Sequence, residues 1–461
     1  MMRFILLFFS SFALSALYSA SYYVAPGGND HNSGQISSPF ASIQKGADTL
    51  KAGDTLFIRD GVYKISTDIR IHCNGMRSKW IVICPYPGEK PEIDATDYVD
   101  IPKLDSRNNI ENTGAITINH ASYVKLLKLR IRNSHNFGIF MEHENTHHIE
   151  ISGCIIDHTF NAAIGDWGAD TVKIINCEIR RANDPEMHIP SVKLMPVAPN
   201  DALSLSDVSQ FEIAYTVICD SKNAGISFKE ACAGGLIHHN TVFDAGGSGI
   251  DINSLYGVTE NIEVWNNEIY SCGWGISISA EGEGAGMRNV KVNNNIIYKN
   301  KGSGIIFNTN GNNCRRMGIY VFCNTVCKNG SYGHAAGNTG GIDLRTNNLS
   351  DVYVVNNISW ENYAFDIATF NNPMKGVSKL KNFNILVEHN LTGETKSVEQ
   401  PKGSSNKVYQ YLGEDAIVAD PMFADPANAD YSLLPKSPAL GTAKRDYPFE
   451  TGEDIGALGK K

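Results

Sequence analysis

The sequence predicts an all-β fold, a parallel β-helix solenoid, and three observations carry the prediction. Short alternating runs opened by Gly or Ala recur through the middle of the chain. A second series of alternating runs, with an asparagine at a fixed place, lies between them. Helical periodicity is confined to ASIQKGADTL, residues 41–50.

The first series reads AITIN from Ala115, GIFME from Gly138, AIGDW from Ala163, ALSLS from Ala202, GISFK from Gly225, GIDIN from Gly249, GISIS from Gly275, GIIFN from Gly304 and GIDLR from Gly341. Its start-to-start spacings are 23, 25, 39, 23, 24, 26, 29 and 37. Period-two alternation turns the residues one and three places after each start inward and those between outward. In the second series Asn240, Asn267, Asn295, Asn324 and Asn357 recur at spacings of 27, 28, 29 and 33. A column of stacked side-chain amides would satisfy turn backbone groups that burial otherwise leaves unpaired. Two or three short strands per repeat make one coil, stacked on the next at ~4.8 Å. A propeller would need blades of ~40 residues with four strands each.

The ends and interruptions fit this frame. Arg3 followed by the apolar run Phe4 to Leu17 and small residues to Ala20 reads as a secretory signal peptide, residues 1–20, too short for a membrane span. The remainder, 21–461, reads as a single β-helix domain, with coils clearest over 115–365 and a loop-rich segment over 366–461. The stretch 41–50 is expected to form a short N-terminal capping helix over the open coil end. The two long spacings mark insertions, about 180–201 and within 309–341, expected to wall a groove. Segment 418–443 is expected to pack along the coils. A soluble, exported monomer, periplasmic or extracellular, is expected.

A net charge of −9 argues against nucleic acid as a partner. It also means that a polyanionic substrate would need local cations. Of the ten cysteines, Cys154, Cys177, Cys219, Cys323 and Cys327 sit inside apolar strand runs and read as buried free thiols. Cys323 and Cys327 have no partner pair at zinc spacing.

Chemistry is sought in the outward columns. The first reads Thr117, Phe140, Gly165, Ser204, Ser227, Asp251, Ser277, Ile306, Asp343; the second Asn119, Glu142, Trp167, Ser206, Lys229, Asn253, Ser279, Asn308, Arg345. Only GISFK carries a lysine followed by a glutamate, Lys229 and Glu230. Stacking brings Asp251 beside Lys229, places Glu281 and Glu283 just past a strand end nearby, and sets Asp201 one coil earlier. Such an outward pair is ordinarily a solvated one worth little. Its place between two insertions and beside Asp251 is what points to function.

SYYVAPGGNDHNSGQISSPFASIQKGADTLKAGDTLFIRDGVYK at 21–64 and DPMFADPANADYSLLPKSPALG at 420–441 resemble the opening and ending of secreted right-handed β-helix proteins of the pectate-lyase-like superfamily, including polysaccharide lyase family 9. The resemblance implies a polysaccharide substrate and β-elimination on a uronic acid in a pectin-like polymer. It makes Lys229 the base, and Asp201, Glu230 and Asp251 the oxygen ligands of Ca²⁺, which takes six to eight. CDSKNAGISF, 219–228, departs from the family's adjacent aspartates, having only Asp220, and Lys222 besides. Two other readings stay open. A glycoside hydrolase would use a carboxylate pair from Glu230, Asp251 and Glu281, ~5–5.5 Å apart for retention or ~6.5–9.5 Å for inversion. A non-catalytic carbohydrate binder would use Trp167, Trp265, Trp274 and Tyr256 as stacking platforms.

Overall fold

The computed structural model describes residues 19–99, 112–142, 145–187, 200–282, 284–308, 315–331, 339–344, 346, 348–369, 382–394 and 409–457. The expected signal segment through residue 18, most of both insertions, Glu283 and Arg345 lie outside them.

Each coil contributes one strand to each of three long sheets of 13, 12 and 13 strands. A complete turn runs Gly114–Asn119, Ser122–Leu127, Arg130–Ser134 and then Phe137–Glu142, the last pairing parallel with the first. The 12-stranded sheet holds the first series of runs, in the expected register. Ile116, Ile139, Ile164, Leu203, Ile226, Ile250, Ile276, Ile305 and Ile342 stack in one inward file. All are buried. Each such side chain stabilises the fold by about 1.5–3 kcal/mol. The protein is a parallel β-helix, as its periodicity predicts.

Crowding explains the glycines that open the runs. A Cβ on Gly225 would lie 2.8 Å from Gly249 O, and one on Gly275 would lie 2.2 Å from Gly304 O. The backbones of successive coils are closest where each chain turns into this sheet.

The asparagine ladder forms and extends one coil further than the spacing indicated. Asn240, Asn267, Asn295, Asn324 and Asn357 each donate from Nδ2 to the Oδ1 of the next, ending on Asn390, at 2.9–3.0 Å. A second ladder, Asn300, Asn329 and Asn362, lines the turn into the 12-stranded sheet.

The helix spans Ile43–Thr49. Ser42 caps it by accepting from Lys45 N, and the Ser42 hydroxyl donates to Asp30 at 2.8 Å. At the other end Phe423, Tyr431, Ala439 and Ile455 bury themselves against Tyr298, Cys327, Ile358 and Leu391. The expected packing of the C-terminal segment on the coils is thus observed. The nine described cysteines are unpaired; Cys154, Cys177, Cys323 and Cys327 are buried as expected, whereas Cys219, near the end of a short strand on the outward side, is only half-buried. No helix among the described residues is long and apolar enough to cross a membrane.

One inward place breaks the apolar rule. Asp166 lies between Met141 and Leu205 in an inward file and is fully buried. Its Oδ1 accepts from Ala169 N at 3.1 Å, while Oδ2 has no hydrogen-bond partner. Burial pushes this carboxyl up to about 7.

Two stability measurements test these assignments. Asn295→Ala strips partners from the Val264 carbonyl and from the neighbouring ladder amides. At about 1–3 kcal/mol per orphaned buried group, it should lower the thermal midpoint far more than Arg288→Ala, which removes only an exposed ion pair with Glu260. Equal midpoints for the two variants would remove the ladder from the account of stability. Asp166 holds its proton more tightly when folded than when unfolded, so stability falls as pH rises from about 4 to about 7, by up to about 4 kcal/mol. Asp166→Asn should flatten the thermal midpoint across that window; an unchanged slope would assign the pH dependence elsewhere.

Candidate functional site on the twelve-stranded sheet

Four adjacent strands carry the site: Leu203–Ser206, Ile226–Lys229, Ser248–Ile252 and Trp274–Ile278. Their inward residues, from Leu203 and Leu205 to Ile276 and Ile278, are buried and fix the strands. The outward residues then follow from register. Ser204, Ser227, Asp251 and Ser277 form one file, and Ser206 pairs with Lys229 in the next. The three serines are small enough to be covered by their neighbours, while Asp251 and Lys229 remain half-buried.

Lys229 is the one basic residue on the strands of this sheet from Gly114 to Thr369. Its Nζ reaches back one coil to Asp201 Oδ2 at 3.2 Å. Asp201 is itself held, with Oδ1 accepting from Ala224 N at 3.0 Å. Burial works against the lysine's charge, but Asp201 and then Asp251 overcome it and hold the ammonium above its usual pKa. Burial alone therefore does not free Lys229 of its proton, because its carboxylate neighbours outweigh it.

Asp251 lies one coil further on. Its Oδ2 accepts from Asn253 Nδ2 at 3.1 Å. Burial pushes its carboxyl up to about 6, reinforced by the charges of Asp201 and Glu281 and opposed by Lys229 and Asn253. A carboxyl in that range holds its proton through the mildly acidic region and is suited to proton donation.

Glu230 ends the lysine's strand in a left-handed conformation, φ +48°, followed by Ala231 at φ +62°. This double turn swings the Glu230 side chain to the Ser206 hydroxyl, which donates to Oε2 at 2.5 Å. Glu281 is exposed just beyond its strand, near enough for its charge to act on Asp251. The structure thus brings Lys229, Asp201 and Asp251 together. Glu230 and Glu281 stand at the rim.

The expected calcium cage does not fit this arrangement. Asp201 Oδ2 is met by the lysine ammonium, and Glu230 is engaged by Ser206. Among the described residues, the one group of three His, Cys, Asp or Glu ligand atoms within 4.8 Å of one another is His158, Asp184 and Glu186, not Asp201, Glu230 and Asp251. The expectation of three converging carboxylates is corrected on geometric grounds: Asp201, Glu230 and Asp251 do not present their oxygens to one point.

The expected aromatic platforms divide. Trp167 aligns with Ser206 and, through it, with Lys229, two coils away. It is half-buried, edge-on to Phe140 at 5.4 Å. Trp274 lies on the strand following Asp251, and Tyr256 is exposed in the turn between. Trp265 belongs to a different sheet, stacked on His238 at 4.2 Å, and is not a platform for this site. His238 in turn faces Glu212 at 3.4 Å, a structural placement. Asp166 was absent from the sequence-derived candidates; the signal was an acid at a place where eight of the nine runs carry an apolar residue.

Similarity to known proteins agrees with the architecture. A family model described as "Pel9A-like, right handed beta helix region" matches residues 22–191, and one described as "right handed beta helix region" matches 114–314. The first stops short of Asp201 and Lys229. Pectate lyase PEL9 of Emericella nidulans is 31% identical over 136 residues, 29% of this chain and 33% of that protein, so the match spans about a third of that relative's length. The uncharacterized protein YwoF of Bacillus subtilis is 24% identical over 473 aligned positions, covering 90% of this chain and 91% of that one. Among solved structures, pectate lyase Pel9A superposes with a TM-score of 0.51 at 14% identity, covering 97% of this chain and 98% of that one. The family 28 exopolygalacturonase of Yersinia enterocolitica gives 0.56 at 12% identity, covering 87% and 79%. These structural likenesses show a shared fold. The chain is a right-handed parallel β-helix protein whose N-terminal part, residues 22–191, is similar to the Pel9A-like helix.

Proposed function

We propose that this protein is an exported polysaccharide lyase that cleaves a uronic-acid-containing, pectin-like polymer by β-elimination, with Lys229 as the base. The observation that carries the reading is the placement of Lys229: the one basic residue on the strands of this sheet from Gly114 to Thr369, held between Asp201 and the protonatable Asp251. The similarity to pectate lyase PEL9 supports it. Export suits a substrate too large to enter a cell.

In the ground state the proton of the pair sits on Lys229, and Asp251 is ionised. The reactive form has the same net charge with that proton on Asp251. Lys229 Nζ then takes the C5 proton, the C5–H electrons form the C4–C5 double bond, the C4–O bond breaks, and Asp251 protonates the leaving oxygen. Asp201 positions the lysine, and Trp167 and Trp274 flank the path that a sugar chain would follow along the coils.

Incubation of the purified protein with pectic polymers, followed by ultraviolet absorbance of the unsaturated product alongside reducing ends, tests the reading. Both should rise together, and Lys229→Ala should lower the rate by at least about a hundredfold without changing the thermal midpoint, as removal of a general base does. The rate constant kcat/KM should fall about tenfold per pH unit below about 6, where Lys229 and Asp251 are both protonated, and stay level from there past neutrality. A rate climbing tenfold per unit across neutrality would remove Asp251 as the acid. Independently of activity, Asp201→Asn should let Lys229 react with an amine-acylating reagent at lower pH than in the parent, read by peptide mass spectrometry; identical labelling curves would sink the assigned ion pair.

A second reading has its own observation. Asp251, with a raised pKa among other carboxylates, is what a glycoside hydrolase requires of its general acid. Reducing ends without ultraviolet absorbance would select it.

A further inference from the structure

The charges around Lys229 bear on which form of polyuronate this site accepts. β-Elimination from a free uronate has two requirements: a cation must neutralise the C6 carboxylate so that C5–H becomes acidic, and an unprotonated base must take the proton. One lysine cannot meet both. While charged it is no base, and once neutral it no longer offsets a carboxylate.

No second cation stands on the strands beside it. The adjacent strands Leu203–Ser206, Ser248–Ile252 and Trp274–Ile278 carry no Lys, Arg or His. Arg70, the other basic residue on the strands of this sheet, lies near its N-terminal end and pairs with Asp68 at 2.9 Å. Arg316 sends Nη1 to Ile278 O at 2.6 Å, but it is fully buried and engaged by Thr346 and Asn348 as well. Among the described residues, those whose charges act on Lys229 and Asp251 are acidic: Asp201 at 3.2 Å from Nζ, then Asp251, Glu230 and Glu281. The carboxylates are not gathered into a cage that would import a divalent cation.

We infer that the substrate is a polyuronate whose carboxyls are esterified. The inference rests on the lyase reading and narrows it. An ester is uncharged, so the acidic surroundings do not repel it, and its carbonyl acidifies C5–H without a neutralising cation. The elimination balances as before: the C5–H bond and the C4–O bond break, the C4–C5 double bond forms, the proton goes to Lys229 Nζ, and the leaving oxygen takes one from Asp251. The ester passes through intact onto the unsaturated end. A neutral chain also leaves the hydrophobic faces of its rings free to lie on Trp167 and Trp274.

Fully methyl-esterified homogalacturonan and the same polymer after complete de-esterification are offered to the purified protein, each with excess chelator and, separately, with added calcium. Ultraviolet-absorbing product from the esterified polymer, at least tenfold faster in kcat/KM than from the free acid and unchanged by chelator, is the expected result. Absorbing product from the free acid alone, lost with chelator, overturns the inference while leaving the lyase reading intact. Reducing ends without absorbance from either polymer overturn the lyase reading itself. Absence of any product from the esterified polymer also counts against the inference. Lys229→Ala serves as the blank, with its thermal midpoint measured to show that the fold is retained.

Discussion

Register between coils is the constraint on which everything else depends. Side chains alternate with a period of two, so a slip of one residue in any coil would turn Lys229 into the core and Phe228 out of it. Two devices prevent that slip. From Asn240 to Asn357 each ladder asparagine donates both to its counterpart in the next coil and to a main-chain carbonyl of the preceding one, so the amides check the stacking at every level. At the opposite corner the glycines let coils approach until no side chain fits. The site is a consequence of this alignment: Lys229 and Asp251, one coil apart along the chain and neighbours in space, share no sequence motif.

Much of this was legible in the chain. The outward columns could be written down from the alternation alone, and register reproduces the first one residue by residue through Asp343. The singularity of Lys229 was equally visible. What could not be read was the direction of long side chains. Lys229 turns back toward Asp201 because Asp201, anchored by Ala224 N, offers an oxygen without another hydrogen bond. Glu230 departs from the file because two successive residues with positive φ end its strand, a conformation that non-glycine residues adopt only when surrounding structure imposes it. The assignment of three carboxylates to one metal failed on these two local events.

Two omissions have a different origin. Asp166 sits in an inward file that is otherwise apolar, where alternation alone predicts no chemistry. The second ladder, Asn300 to Asn362, repeats at the same 29 and 33 residues as the neighbouring part of the first, yet its residues sit in turns of mixed composition where no alternation frames them.

The C-terminal segment gives the stack an asymmetry. A solenoid touches only its neighbours and so can unzip from an open end. Here Phe423, Tyr431 and Ile455 grip Tyr298, Cys327, Ile358 and Leu391, and Phe449 lies on Tyr320, Phe322 and Tyr353, so one stretch of chain clasps several coils from outside. The last coils therefore cannot peel away singly, and unravelling from that side must begin with release of the clasp. A nascent chain has no such protection until the residues from Phe423 to Ile455 have emerged. Before then it presents the aromatic stripe from Phe243 through Tyr270 to Tyr298 to whatever binds unfolded protein. That stripe is covered only once the C-terminal segment has docked on Tyr298.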